Sequence, residues 1–428
     1  MTVGDHRMTT SGHCDPRFSR VREVFDRHFS DGEELGAAFA VFLDGEPVVD
    51  LWGGVADRHT GRPWEADTPV LAYSCTKAVA ATGLLLLVER GLVDVHSPVS
   101  AYWPEFARND KARVTVEHVL THQAGLPVIE EPVPLEEFED LPAIADRLAT
   151  QAPLWEPGTA HGYHAVTYGF LVDELIRRVT GMSTGELVAA EIAVPRELDL
   201  WLGAPPDVAA RAARLSAGER VGERTAPAGE QAPRAGERTA PAGEQAPRAG
   251  ERTAPAGGAG VADDPMAAVA AAARDKDSLM NRALGNPPIH KLPGGGNHPV
   301  ILRAGWPALG MVTTARALAG FYRALVAGEI LAPSTLSDAM RSRVGGLDRV
   351  LYVDSAFGLG YMRPAMTFLT PARGVESAFG HTGMGGSLGL GDVEHGLAMA
   401  YTMNRMAGSV AGNLRAYRLA EAVYDSLT

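Results

Sequence analysis

The sequence predicts an α/β fold in which a sheet drawn from both ends of the chain carries a helical insertion. Three observations lead there. Strand-like runs cluster near the two termini, and helix-like runs fill the middle. The chain is also long enough, at 428 residues with 46% apolar side chains, for one large domain or two.

The first helix is expected from Arg17 to Phe29, followed by a hairpin. Ala37–Leu43 reads as one strand, Asp44-Gly45-Glu46-Pro47 as turn residues, and Val48–Trp52 as the return strand. Leu71-Ala72-Tyr73 leads into a strong helix from Ser74 to Arg90, stopped by Gly91. Further helices fit Val116–His122, Ala165–Val179 before Gly181, and Ala315–Val326. Near the C-terminus, Leu388–Leu390 and Leu397–Met403 read as strands, and Asn413–Tyr424 as a closing helix.

One stretch departs from globular patterning. A 14-residue unit rich in Ala, Pro, Gly, Glu and Arg starts at Gly222, recurs from Gly236 and begins again at Gly250. It has no hydrophobic face to bury, so a disordered surface loop, dispensable for chemistry, is expected there.

Charge and cysteine content narrow the function. The 39 basic and 52 acidic side chains give a formal charge of -13, opposite to the basic footprint that nucleic-acid binding requires. Two cysteines, Cys14 and Cys75, leave no disulfide framework or cysteine-rich metal site to expect. The polar N-terminus and the short longest apolar run, Leu84–Val88, predict a cytoplasmic protein without a membrane span.

The main chemical signal is Ser74-Cys75-Thr76-Lys77. A serine hydroxyl becomes a useful nucleophile only when a neighbouring base takes its proton. Residues three apart share a helical face, so Lys77 can direct its amine at Ser74, and the helix start favours developing negative charge. The chain has only four lysines against 17 serines, so composition alone gives about 0.2 such pairs. To act as a base, Lys77 must be uncharged, which burial would bring about.

This strand–S-x-x-K–helix arrangement resembles the serine β-lactamase and penicillin-recognising family. It is most similar to the class C β-lactamase-like esterases, also called family VIII carboxylesterases. Leu120-Thr121-His122-Gln123-Ala124-Gly125-Leu126-Pro127, Trp155-Glu156-Pro157-Gly158-Thr159, Gly162-Tyr163-His164-Ala165 and Phe379–Ser387 follow in the family's order. The resemblance implies a β-lactamase/transpeptidase-like fold, an antiparallel sheet with flanking helices plus a helical domain. Residues 1–110 and 300–428 would form the sheet domain. Residues 111–299 would form the helical one, with the disordered insertion at 216–260.

Carried over residue by residue, the resemblance puts the family's tyrosine on Tyr163. Its phenol would shuttle a proton between Ser74 and the leaving group, its pKa lowered by nearby positive charge. The third motif falls on His381-Thr382-Gly383, with histidine where β-lactamases have lysine. His381 would bond Tyr163 or the substrate, and the amides of Ser74 and Met384 would form the oxyanion hole. His164, Thr382 and Gly383 are the expected substrate contacts. Ala165 stands where β-lactamases have asparagine, which points away from β-lactams.

Two G-x-S-x-G matches compete. Ser183 follows a helix and, with Glu186, reads as a capping box, while Ser387 enters a strand; neither has the strand–serine–helix context of an α/β-hydrolase. His118 and His122 lack the third ligand and the glutamate of a zinc-protease helix and read as structural. The expectation is thus acyl transfer through an acyl-Ser74, without cofactor or metal. The acyl donor is a small ester, and the acceptor is water or, as in related transacylases, an amine or alcohol. Pro127–Pro134 and Asn286–Pro299 are expected to wall the pocket. A catalytically silent binding protein is opposed by the intact Ser74, Lys77 and Tyr163.

Overall fold

The computed structural model describes residues 10–217, 265–408 and 414–427. The chain opens with strand β1 (Thr10–Cys14), helix α1 (Ser19–Ser30) and the hairpin of β2 (Gly36–Leu43) and β3 (Glu46–Asp57). Asp44 and Gly45 form a two-residue turn with φ of 49° and 87°, the backbone geometry that matches strand twist. Strand β1, absent from the sequence reading, forms because β3 is long enough to pair along both edges. Helix α1 starts later than Arg17 because Pro16–Phe18 is a separate tight turn capped by Asp15.

After β4 (Val70–Leu71), a tight turn at Tyr73–Cys75 leads into α2 (Thr76–Glu89), and Gly91 follows at φ 70°. Every residue from Thr76 to Leu87 is buried, so α2 is a central helix, apolar all round except for Lys77 and two threonines. The middle of the chain supplies α3 (Val116–Leu120), α4 (Leu141–Thr150), α5 (Thr167–Thr180) and β5 (Leu200–Leu202). The Gly222 repeats lie outside the described residues. Beyond them come α6 (Pro265–Arg274) and α7 (Leu279–Gly285). Helix α6 escaped the sequence reading because its alanine run gives little periodic contrast.

Strand β6 (Met311–Thr313) lies between β4 and β5 in a small antiparallel sheet. The last third comprises α8 (Ala315–Val326), β7 (Ala378–Thr382), β8 (Leu388–Asp392), β9 (Leu397–Met403) and α9 (Leu414–Asp425). Asn413, the expected start of the closing helix, lies outside the described residues.

The main sheet runs β1-β3-β2-β9-β8-β7, all antiparallel, with Arg62–Pro63 pairing further along β3. Strands β2 and β9 join the two ends of the chain, from Leu43 opposite Leu397 to Ala37 opposite Met403. Helix α8 packs on β9, β2 and β8, burying Leu318, Phe321, Tyr322 and Leu325 completely. Each such side chain contributes about 2 kcal/mol. Glycine in β8 makes room for this helix, since a Cβ on Gly389 would stand 2.4 Å from the Tyr322 ring. Edge strand β7 runs against both the Tyr73–Cys75 turn and α2, which brings the C-terminal segment to Ser74.

Candidate active site

The turn holding Ser74 is fastened from both sides. Ala72 N–H donates to Met311 O at 2.9 Å. Thr76 Oγ1 donates to Tyr73 O and accepts Met311 N–H at 3.1 Å. Tyr73 adopts φ 46°, a left-handed conformation that costs a bulky residue about 1–2 kcal/mol and persists only when surrounding bonds over-determine it. Ser74 follows, half-buried, where a helical turn leaves its first N–H groups without internal partners.

Lys77 is fully buried one turn on. Its Nζ lies 2.7 Å from Ala165 O, 2.9 Å from Ala308 O and 3.2 Å from Ser74 Oγ. Burial holds the amine well below the ordinary lysine pKa. A neutral amine has two N–H groups and one lone pair. The two carbonyls account for the donors and leave the lone pair for the Ser74 hydroxyl proton.

Tyr163 is brought to the cavity beside Ser74 from 89 positions along the chain, and both residues line it. Lys77 Nζ sits 4.7 Å from the centre of its ring. The ring stacks on Phe357 and lies 5.0 Å from the His122 ring. Its backbone N–H donates to Asp348 Oδ1 at 3.0 Å. The lowered phenol pKa expected above is corrected here: burial raises it, and the Asp348 charge adds to the rise. With its pKa raised, the phenol can act as a proton donor.

His381 lies on β7 with its ring 6.1 Å from that of Tyr163. Nδ1 donates to Thr382 O at 2.7 Å, while the buried Nε2 has no partner among the described residues. Burial is the main cause that pushes its pKa down to about 3, so the ring is neutral and Nε2 is an open acceptor. Thr382 Oγ1 instead donates to Thr367 O at 3.2 Å, and Gly383 N–H to Ser387 O at 2.7 Å. Met384 lines the cavity beside Ser74. His164, an expected substrate contact, has both ring nitrogens bonded to backbone: Nδ1–H donates to Gly162 O at 2.7 Å and Nε2 accepts Leu126 N–H at 3.0 Å. It leaves no ring nitrogen for a ligand and braces the 162–165 turn.

The cavity at Ser74 measures about 790 Å³. Ile289, His290, Gly295 and Gly296 line it, as expected for the 286–299 loop. The 127–134 loop does not; it walls a separate cleft with Arg282 and Lys291. Further wall comes from α6, α7 and the segment between them, through Ala273, Arg274, Lys276, Asn281 and Leu284.

Residues 21–424 match the Beta-lactamase family. The chain belongs to this family. It is 34% identical over 426 residues to the esterase/beta-lactamase LipL of Mycobacterium tuberculosis, covering 94% of this chain and 87% of that protein. A family VIII carboxylesterase crystal structure superposes with a TM-score of 0.78 at 32% identity, covering 98% of this chain and all of that one. A penicillin-binding protein homolog from Caulobacter crescentus gives 0.78 at 35%, with the same coverage. The β-lactamase/transpeptidase-like fold is therefore the fold of this protein.

The backbone of Tyr163 is held by Asp348, which the sequence reading missed. Its buried carboxylate accepts four bonds: Tyr163 N–H at 3.0 Å, Val350 N–H at 2.8 Å, Leu351 N–H at 2.9 Å and Ser355 Oγ–H at 2.9 Å. Ser355 in turn meets His161 Nε2 at 3.0 Å. Asp348 sits in a short irregular loop, where no spacing or periodicity announces it. The rival serines are placed elsewhere. Ser183 and Glu186 form a reciprocal capping box at a helix start, and Ser387 is buried at the entrance to β8. His118 closes the capping box of α3 through Thr115, and among the described residues no three His, Cys, Asp or Glu side chains converge on a metal position. No helix among them is long and apolar enough to cross a membrane.

Proposed function

We propose that this protein is a serine hydrolase of small carboxylic esters, working through an acyl-Ser74 intermediate. The observation that carries the reading is the buried Lys77 amine, whose two carbonyl acceptors leave its lone pair for Ser74. Ser74 Oγ attacks the ester carbonyl and gives its proton to Lys77. The oxyanion is met by the Ser74 and Met384 amides at the helix start and the turn after β7. Tyr163 passes its phenol proton to the departing alkoxide and regains one from the Lys77 ammonium. Water then attacks the acyl-enzyme by the same groups in reverse, restoring Ser74. His381 Nε2 is positioned as an acceptor for Tyr163 or for a substrate donor.

Esters are favoured over β-lactams because Ala165 presents only a methyl group to the cavity where β-lactamases carry an amide. The esterase relatives support the same choice. Wild type should hydrolyse p-nitrophenyl butyrate and take up a fluorophosphonate probe, with both lost in Ser74→Ala. Turnover that survives Ser74→Ala, or a wild type that neither labels nor turns over, would refute the reading. Added amines or alcohols that speed acyl-enzyme decay and appear in the product would make the acceptor something other than water.

A further inference from the structure

The cavity at Ser74 carries charge of one sign. Among the described residues its wall includes two full positive charges, Arg274 and Lys276, together with His290, and no carboxylate. All three are exposed, whereas Ser74 is half-buried, so the charges belong to the solvent-facing rim. The rest of the wall is largely apolar, including Val166, Leu284 and Leu309.

That rim is unusual for a chain whose acidic residues outnumber the basic ones, 52 to 39. Elsewhere arginines stand against carboxylates, as with Arg282 and Glu130, Arg303 and Glu139, or Arg323 and Glu329. Neither Arg274 nor Lys276 has an ion-pair partner among the described residues. Asp275, between them, turns its carboxylate to Asp277 N–H at 2.9 Å, and neither aspartate lines the cavity. The segment bearing the cations is also braced. Asn281 Nδ2 donates to the carbonyls of Ala272, Ala273 and Asp275 at 3.1, 3.1 and 2.7 Å, and Ser278 Oγ donates to Ala272 O at 2.8 Å. Arg274 ends α6, where a cation suits the helix dipole. The dipole does not account for Lys276, past the helix end, or for a wall without carboxylates.

We infer that the preferred acyl donor is an ester or thioester bearing an anionic group, carboxylate or phosphate, separated from its reacting carbonyl by an apolar stretch. This rests on the reading of Ser74 as the acyl-accepting nucleophile. The anion takes no part in bond-making: Ser74 displaces the alkoxide or thiolate, and Arg274 and Lys276 hold the far end. A cavity of this size takes a drug-sized ligand, and rim charges of one sign concentrate the opposite charge.

The test compares kcat/KM for three donors: p-nitrophenyl butyrate, the mono-p-nitrophenyl ester of adipic acid, and butyryl-coenzyme A. The second carries its anion on the acyl side and the third on the leaving group. At low salt, one anionic donor should exceed the neutral ester by about tenfold, and which one shows where the anion resides. In Arg274→Ala/Lys276→Ala the anionic-to-neutral ratio should fall about tenfold, and in Arg274→Glu/Lys276→Glu it should drop below one. Raising NaCl should compress the wild-type ratio. Equal ratios in wild type and both variants, with Ser74 still labelled and the neutral ester still turned over, would overturn the inference while leaving the hydrolase reading intact. Loss of labelling and of all turnover in wild type would instead remove that reading and the inference together.

Discussion

Asp348 offers the sharpest test of how Tyr163 is held. Replacing it with alanine leaves three buried N–H donors, on Tyr163, Val350 and Leu351, without their acceptor. The Ser355 hydroxyl can turn to His161 and so escapes the same fate. Each orphaned buried donor costs about 1–3 kcal/mol, so Asp348→Ala should destabilise by about 4 kcal/mol or more. Asp348→Asn keeps an oxygen for the three amides and, with the Ser355 and His161 protons reversed, should cost only about 1–2 kcal/mol. Urea unfolding followed by tryptophan fluorescence measures both. In a folded alanine variant, kcat for p-nitrophenyl butyrate should fall about tenfold with little change in KM, because Tyr163 loses its backbone anchor while the cavity is kept; the asparagine variant, which keeps that acceptor, should stay near wild type. An alanine variant within about 1 kcal/mol of wild type, or one with unchanged kcat, would refute this account.

Three further outcomes follow from the geometry. Tyr163→Phe should lower kcat/KM by about 10²–10⁴-fold; a loss below threefold would move the proton transfer to another group. The Lys77 amine, depressed by burial, is unprotonated in the folded protein at pH values where the unfolded chain still binds that proton. The lysine's contribution to stability therefore rises with pH, by at most about 1.4 kcal/mol per unit, until the unfolded pKa near 10.4 is reached. Comparing urea midpoints from pH 7 to pH 10, wild type should gain on Lys77→Met, and parallel curves would show that the buried amine stays charged. Gly360→Ala should destabilise by about 3 kcal/mol or more, since it combines φ 80° with a Cβ placed 2.2 Å from Ala81 Cβ on α2. A thermal midpoint unchanged from wild type would contradict that.

The features that local chemistry controls were legible. Gly91 and Gly181 follow the ends of α2 and α5, Ala315–Val326 and Leu397–Met403 form where their patterns place them, and Ser183 with Glu186 closes a capping box. Strand β1 was not, because an edge strand needs only a partner with a free edge. The wall formed by α6 and α7 was missed for a related reason, since an alanine-rich helix has no stripe to read.

The same division runs through the site. Ser74 and Lys77 fall on one helical face because residues three apart always do, and that much the sequence determined alone. Whether the lysine is charged, however, depends on desolvation by everything packed around α2 and on two carbonyls, Ala165 and Ala308, far away in sequence. The Tyr163 phenol, whose pKa was expected to be lowered, is pushed up by the same burial, and His164 is spent on backbone that only the folded turn presents. Sequence spacing set the order of the groups along a helix. Protonation, the hold of Asp348 on Tyr163 and the cationic rim depend on burial and long-range contact, which exist only once the tertiary structure has formed.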